Sequence, residues 1–182
     1  MKHRQLFVLA LLGALALGGC ITEEPQPIDE HLMAALGQAR ALHHLADVQL
    51  AEGDTAAAIE ALERVVTVEF PEGAPERDDV VVDAYGRIAK LQLGGGHLDE
   101  AMRAVEKGLR EGRERDTFYV AALHMIVGEI HEARATQARE ANDEQTARSA
   151  AREAIEAYER SIAVNQKVLD RLLAEGPAEA TR

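Results

Sequence analysis

A short polar break recurs along this chain between stretches of helical periodicity. Such breaks occur at Gly53-Asp54, Gly96-His97 and Asn142-Asp143. Their spacing, 43 residues from 53 to 96 and 46 residues from 96 to 142, is typical of helical repeats that stack into solenoids. The sequence therefore predicts three helical hairpins, with one break at the internal turn of each.

The composition also favours helix. Hydrophobic residues make up 47% of the 182 residues, but aromatic residues make up only 3%, and there is no Trp. The core must therefore consist mainly of Ala, Leu, Val and Ile, of which Ala and Leu are strong helix formers. The net charge of -12 would repel the phosphates of nucleic acids, so we expect no nucleic-acid partner.

The segments that follow the first two breaks are alike. Gly53 is followed five residues later by Ala58, and Gly96 is followed five residues later by Ala101. Apolar residues then continue at steps of three and four, which places them on one face of a helix. The residues in question are Ile59, Leu62, Val65 and Val66 after the first break, and Met102, Val105 and Leu109 after the second.

This arrangement resembles the tetratricopeptide repeat, in which a small residue occupies the point where the two helices of each hairpin cross. The resemblance assigns that position to Ala58 and Ala101. The first helices match as well, through Leu42, Leu45 and Ala46 in one unit and Tyr85, Ile88 and Ala89 in the next. It implies an all-α, TPR-like α-solenoid of about three antiparallel helical hairpins.

The third unit is longer than the first two. Gly128 and Ala154 are 26 residues apart, whereas Ala46 and Ala58 are only 12 apart. The difference corresponds to about two extra turns on each helix, so the third hairpin should be extended. Its pattern assigns Phe118, Leu123, Val127 and Ile130 to the first helix, and Ala154, Ile155, Tyr158 and Ile162 to the second.

The turn of this third hairpin is rich in Ala, and we expect Asn142 to cap the helix that follows it, with Gln145 three residues on. Disorder of the Ala-rich segment is the alternative, because such helices need packing partners to persist. Loops are expected at residues 70–79 and 112–116, between the units.

The first twenty residues have a different character. Lys2, His3 and Arg4 are followed by an uncharged apolar run from 6 to 17, too short to span a bilayer but typical of a secretory signal. The run ends at Leu17-Gly18-Gly19-Cys20, which resembles the lipobox of bacterial lipoproteins. In that family the cysteine becomes the first residue and carries fatty acyl chains such as palmitate. An ordinary cleaved signal, or a membrane anchor, is the alternative.

The resemblance to lipoproteins divides the chain into a signal peptide at 1–19, a tether at 20–30, a helical domain at 31–175 and a tail at 176–182. Cys20 is then the lipidated residue and the link to the membrane. Residue 21, which follows the cysteine, is Ile and not Asp. A residue other than Asp at this position resembles the pattern of enterobacterial lipoproteins that are exported to the outer membrane. We therefore expect a location in the cell envelope, at the outer membrane and facing the periplasm.

No catalytic or metal-binding constellation is evident, so we expect neither an enzyme nor a cofactor. Only one Cys is present, which excludes a thiolate zinc site or a Cys-x-x-Cys pair. A zinc site formed by His124, His131 and Glu132 is the alternative, but a packing or solvated role suits these residues better. The paired carboxylates lie in loops or at the starts of helices. Their negative charge there stabilises the helix by interacting with the positive end of its dipole.

In tetratricopeptide repeats, a groove that binds peptides or partner helices is lined by the first helix of each unit. The resemblance predicts an interaction or assembly scaffold, with a small-molecule or metal-binding envelope lipoprotein as the alternative. On net charge, a basic or mixed-charge protein partner is favoured. The predicted groove residues are Arg40, His43, Asp47, Leu50, Asp83, Lys90, Leu93, Met125, Glu129 and Glu132.

Overall fold

A computed structural model describes residues 29–113 and 115–175, and every regular element in these two ranges is a helix. The predicted signal peptide, Cys20 and all but the last two residues of the predicted tether lie outside the described residues, as does the predicted tail. The six helices are α1 (Glu30–Ala51), α2 (Thr55–Val66), α3 (Pro75–Gly94), α4 (Leu98–Gly112), α5 (Phe118–Glu140) and α6 (Glu144–Glu175).

The helices form three hairpins, α1 with α2, α3 with α4 and α5 with α6. The second helix of each of the first two hairpins packs against the first helix of the next, and α3 also packs against α5. This sequential stacking confirms the prediction of an all-α, TPR-like solenoid. No helix in the described parts of the chain is long and apolar enough to cross a membrane.

The three internal turns lie at the predicted breaks. Gly53 and Gly96 have φ angles of 83° and 78°, in the left-handed region where glycine carries no steric penalty. Directly after the first of them, the Asp54 side chain accepts a hydrogen bond of 2.9 Å from the backbone N–H of Ala57 and so caps α2.

The third turn corrects one prediction. Asn142 does not cap α6, because it takes the left-handed position itself, with φ 60°. The cap is its neighbour Asp143, whose Oδ1 accepts a hydrogen bond of 3.0 Å from the N–H of Thr146. The physical reason is that each turn places its left-handed residue immediately before the cap, and Asn tolerates that conformation better than most residues.

Small residues lie where the helices of each hairpin pack together. Ala58 and Ala101, the predicted crossing positions, have no exposed surface, and Ala46 and Ala89 on the facing helices are also buried. All four belong to the larger hydrophobic cluster, which extends to Leu123 and Ile130 of α5. The core is therefore continuous across the three hairpins.

The third hairpin is extended, as predicted, and its Ala-rich segment is helical, so the alternative of disorder is wrong. The 23 residues of α5 pack along α6, which has 32 residues. Ser161 of α6 donates a hydrogen bond of 2.8 Å to the carbonyl oxygen of Ala121. Ile155 and Ile162 lie on α6 as expected, but they are 58% and 68% exposed.

The predicted loop at 70–79 is shorter than expected, because α3 begins at Pro75. Proline suits the first turn of a helix, where its missing N–H has no partner to lose, and acidic residues follow it in that turn. Arg115, from the next connection, holds this end of α3 through ion pairs of 3.1 Å to Asp78 and 2.5 Å to Asp79.

Candidate binding groove

The first helices of the three units, α1, α3 and α5, enclose a cavity of about 300 Å³ between them. Four of the predicted groove residues line it, with Leu50 on α1, Asp83 and Lys90 on α3, and Met125 on α5. Leu50 and Met125 are 42% and 44% exposed. The cavity is therefore open to solvent and partly apolar at its mouth.

Apolar side chains form the inner wall of this cavity. Leu123 and Ile126 are almost fully buried, and both reach toward Gly86, which also lines the cavity. A Cβ atom at Gly86 would lie 3.4 Å from Cδ2 of Leu123 and 3.7 Å from Cδ1 of Ile126, which is ordinary contact. The missing side chain at Gly86 thus leaves room for an apolar group from outside.

A charged network connects α1 and α3 at one side of the cavity. The guanidinium of Arg87 donates to Nδ1 of His43 at 2.7 Å and to the carboxylate of Asp47. Nε2 of His43 lies 3.9 Å from Oδ2 of Asp83. Because the guanidinium of Arg87 can only donate hydrogen bonds, Nδ1 of His43 must be the acceptor, and the ring proton sits on Nε2 and faces Asp83.

The ionisation of His43 fits this arrangement. Burial lowers the pKa of His43 below its ordinary value of 6.5; the charge of Asp83 opposes the shift and the charge of Arg87 adds to it. The imidazole is therefore neutral at pH 7, and its two nitrogens have distinct roles.

A second pair of contacts ties α5 into the same groove. Nζ of Lys90 donates to both carboxylate oxygens of Glu129, at 2.9 and 2.7 Å. One turn along α5, Oε2 of Glu132 accepts a hydrogen bond of 2.8 Å from the hydroxyl of Tyr158. Burial, together with this hydrogen bond, raises the pKa of Tyr158 to about 12.

The structure brings most of the predicted groove residues together, but not all of them. Leu50, Asp83, Lys90 and Met125 line the cavity, and His43, Asp47 and Glu129 pair with residues that line it. Glu132 is bonded to Tyr158. Arg40 is exposed and does not line the cavity, and Leu93 is half-buried and packs against the hydrophobic core. A role in binding stays a prediction for each of them.

Arg87 is the groove residue that the sequence reasoning missed. It lies four residues after Asp83 and three before Lys90, so all three occupy one face of α3. That spacing was sufficient to find it. The family's binding positions fall on its neighbours, and an arginine on a helix is ordinarily solvated, so the family resemblance does not indicate Arg87.

The histidines considered for zinc do not form a ligand set. Nδ1 of His131 lies 2.9 Å from Oε2 of Glu153, and burial lowers the pKa of both His131 and His124. The residues that the structure describes contain no group of three His, Cys, Asp or Glu side chains arranged to hold a metal ion.

Comparison with known families agrees with the fold. Residues 39–70 match the tetratricopeptide repeat family, a segment that runs from the middle of α1 through all of α2 and into the following connection. No curated protein and no solved structure matches the chain. The match supports tetratricopeptide repeats in this protein, and such repeats are generally interaction scaffolds without enzymatic activity.

Proposed function

We propose that this protein is a lipid-anchored scaffold of the cell envelope, which binds a segment of a partner protein in the groove between α1, α3 and α5. The observation that carries the proposal is the cavity of about 300 Å³, with its apolar wall and charged surroundings, between the first helices of three stacked hairpins. The match of residues 39–70 to a family of interaction repeats points in the same direction.

The size of the cavity favours a protein segment over a free small molecule. Pockets that enclose drug-sized ligands hold about 300–1,000 Å³, so this cavity lies at the lower limit. One or two apolar side chains of a peptide or helix would fill it, while the rest of the segment runs along the open groove.

The charges of the groove indicate what accompanies those apolar side chains. Asp47 and Glu129 are already paired with Arg87 and Lys90. Among the residues described, Asp83 has no Lys or Arg within ion-pair distance, and the basic side chain that lies 3.9 Å from it, His43, is neutral at pH 7 because its pKa is lowered below 6.5. We infer a partner segment that places a Lys or Arg against Asp83, beside an apolar anchor.

Support for the membrane anchor comes from the sequence alone. The basic start, the apolar run and the order Leu17-Gly18-Gly19-Cys20 match what lipoprotein processing requires. Two or more acyl chains would hold the mature chain stably on a bilayer. Cleavage before Cys20 would leave 163 residues with 18 basic and 32 acidic groups, net charge -14, which favours a domain that stands away from an anionic surface.

A matched pair of variants on one helix tests the groove. Leu50→Arg places a long charged side chain at the mouth of the cavity, whereas Val48→Arg makes the same change on α1 at a side chain that is 60% exposed and does not line it. Partners recovered with the full chain from native membranes are identified by mass spectrometry, and their affinity for each variant is then measured.

We expect Leu50→Arg to weaken partner binding at least tenfold, and Val48→Arg to leave it unchanged, with equal helicity by circular dichroism. Asp83→Asn should weaken binding less and reduce its dependence on salt, because one ion pair is lost. Equal affinity of Leu50→Arg and wild type would show that the partner does not use this groove.

The anchor is tested separately at the cysteine. Cys20→Ser should move the protein out of the detergent-soluble membrane fraction, into a soluble or uncleaved form. Mass spectrometry of the wild-type N-terminus should show acyl chains on Cys20. Unchanged membrane partitioning of a cleaved Ser variant would rule out the lipid anchor and leave the groove proposal intact.

A further inference from the structure

The last helix carries a row of exposed aliphatic side chains. Ile155, Ile162 and Leu169 recur at intervals of seven, and Leu172 and Leu173 continue the row, all of them 53–78% exposed. These five residues, which we call the α6 stripe, cover about 27 Å of helix at 1.5 Å per residue. A row of this length is more than the scattered apolar residues of a normal surface.

The first two hairpins show how the positions equivalent to Ile155 and Ile162 are packed elsewhere in the solenoid. The residue after each crossing alanine and the residue seven further on are Ile59 and Val66 on α2, and Met102 and Leu109 on α4. All four are half-buried and pack against the hydrophobic clusters, in hairpins where α2 packs on α3 and α4 packs on α5. In both cases these positions are packed in a hairpin that is followed by another hairpin.

On α6 the same two positions are Ile155 and Ile162, which follow the buried Ala154 by one and eight residues. They are 58% and 68% exposed, and no helix follows α6 within the described residues. Ile155 and Ile162 of the α6 stripe therefore correspond to positions that are packed in the two hairpins with a following neighbour, and no such neighbour is present in the described part of the chain.

The charge of α6 makes a second copy of this chain a suitable neighbour. The chain has a net charge of -12, so two copies repel each other over most of their surfaces. Between Glu144 and Glu175, however, there are five basic and six acidic side chains, a net charge of only -1. Two α6 helices can therefore approach each other with little repulsion.

The stripe also has the symmetry and the area that a dimer needs. A two-fold axis brings the same patch of two copies together, and apolar residues spaced by seven suit the seam between two packed helices. The exposed fractions of the five side chains amount to about three whole aliphatic side chains per copy. Each whole aliphatic side chain has roughly 100 Å² of surface, and about 60% of such an interface is apolar. The dimer would therefore bury about 1,000 Å² in total, which is near the lower limit for specific association.

From these observations we infer that two copies of this protein associate through their α6 stripes, in a dimer that leaves both grooves open. The grooves lie on α1, α3 and α5, and the stripe lies wholly on α6. The inference does not depend on what the groove binds.

The mass of the full chain in mild detergent tests the dimer, measured by light scattering with the detergent contribution subtracted. Wild type should be a dimer at micromolar concentrations. The variant Ile162→Glu with Leu169→Glu should be a monomer, because buried charges without partners oppose association. Val48→Glu, an equally exposed aliphatic residue on α1, should remain a dimer, as should the groove variant Leu50→Arg.

Circular dichroism must show equal helicity for all these variants. If the double variant does not fold, Leu173→Glu takes its place, at a side chain 78% exposed near the end of α6, and should weaken the dimer at least tenfold. A wild type that is monomeric, or a folded stripe variant that dimerises as well as wild type, would overturn the inference. A monomeric wild type that captures a different protein through α6 would overturn it as well.

Discussion

The ring of Tyr158 occupies the space that a side chain at position 128 would need. A Cβ atom on Gly128 would lie only 2.7 Å from both Cδ1 and Cζ of Tyr158, with Cε1 closer still. The hydroxyl of the same ring donates to Glu132, which fixes the ring over α5. Gly128 and Tyr158 therefore set the distance between the two longest helices of the protein.

This contact predicts that Gly128→Ala destabilises the fold. Alanine has a higher helix propensity than glycine, but the methyl group would displace the ring or the helix, at a cost of roughly 1–3 kcal/mol. Gly86→Ala is the matched control, because its Cβ has ordinary contacts of 3.4 and 3.7 Å. That variant should gain about 0.5–1 kcal/mol from helix propensity. Both free energies of unfolding are measured by urea denaturation.

A double-mutant cycle isolates the contact itself. In a Tyr158→Ala background the ring is absent, and Gly128→Ala should then lose its penalty. A penalty that persists without the ring would mean that the close approach of the two backbones, and not Tyr158, excludes a side chain at position 128.

The alanines at the helix crossings should tolerate little enlargement. Ala58 and Ala101 have no exposed surface, so Ala58→Leu or Ala101→Leu should overpack the hairpin and cost roughly 1–3 kcal/mol of unfolding free energy. Glu60→Gln, an exposed position two residues from Ala58, should leave the unfolding free energy unchanged. Negligible losses at both alanines would contradict the repeat register assigned to them.

The hairpins and their turns could be predicted because local chemistry determines them. The backbone requires a residue that tolerates the left-handed conformation at Gly53 and Gly96, and a small residue five positions later. The spacing of residues in the sequence shows both requirements. In the third turn the cap is one residue later than predicted, since both Asn142 and Asp143 are good caps and the sequence does not show which of them takes the left-handed conformation.

The groove could be predicted only in outline. The positions on the first helices were located from helical spacing, but the pairing of Arg87 with His43 and Asp47 depends on how α1 and α3 rotate against each other. Leu93 shows the same limit, because it is half-buried against the core and not in the groove. A repeat pattern predicts which residues share a face of one helix, but it predicts less well the angle between neighbouring helices.

The network at His43 has a consequence that can be measured by NMR titration. The charge of Arg87 lowers the pKa of His43, so Arg87→Gln should raise it by removing that repulsion and leaving Asp83 and Asp47 to favour the imidazolium. Lys90→Gln, one turn further along α3, is the control and should leave the pKa of His43 unchanged. An unchanged pKa in Arg87→Gln would show that the guanidinium does not hold this contact in solution.

Three histidines should make the fold less stable at mildly acidic pH. Burial lowers the pKa of His43, His124 and His131 below 6.5. The unfolded chain therefore binds protons more readily than the folded protein, and the free energy of unfolding should decrease as the pH falls below about 6.5 and on through the lowered folded-state values.

The size of this decrease should depend on the two histidines of α5, His124 and His131. Replacing both with Gln, as His124→Gln and His131→Gln, removes two of the three groups and should flatten the dependence of the unfolding free energy on pH between about pH 7.5 and 5.5. His44→Gln is the control, because the side chain of His44 is 75% exposed. Urea denaturation at several pH values gives the slope for each variant. If the double variant kept the wild-type slope, His124 and His131 would be as free to take up protons in the folded protein as in the unfolded chain, and both side chains would be less buried than the structure shows.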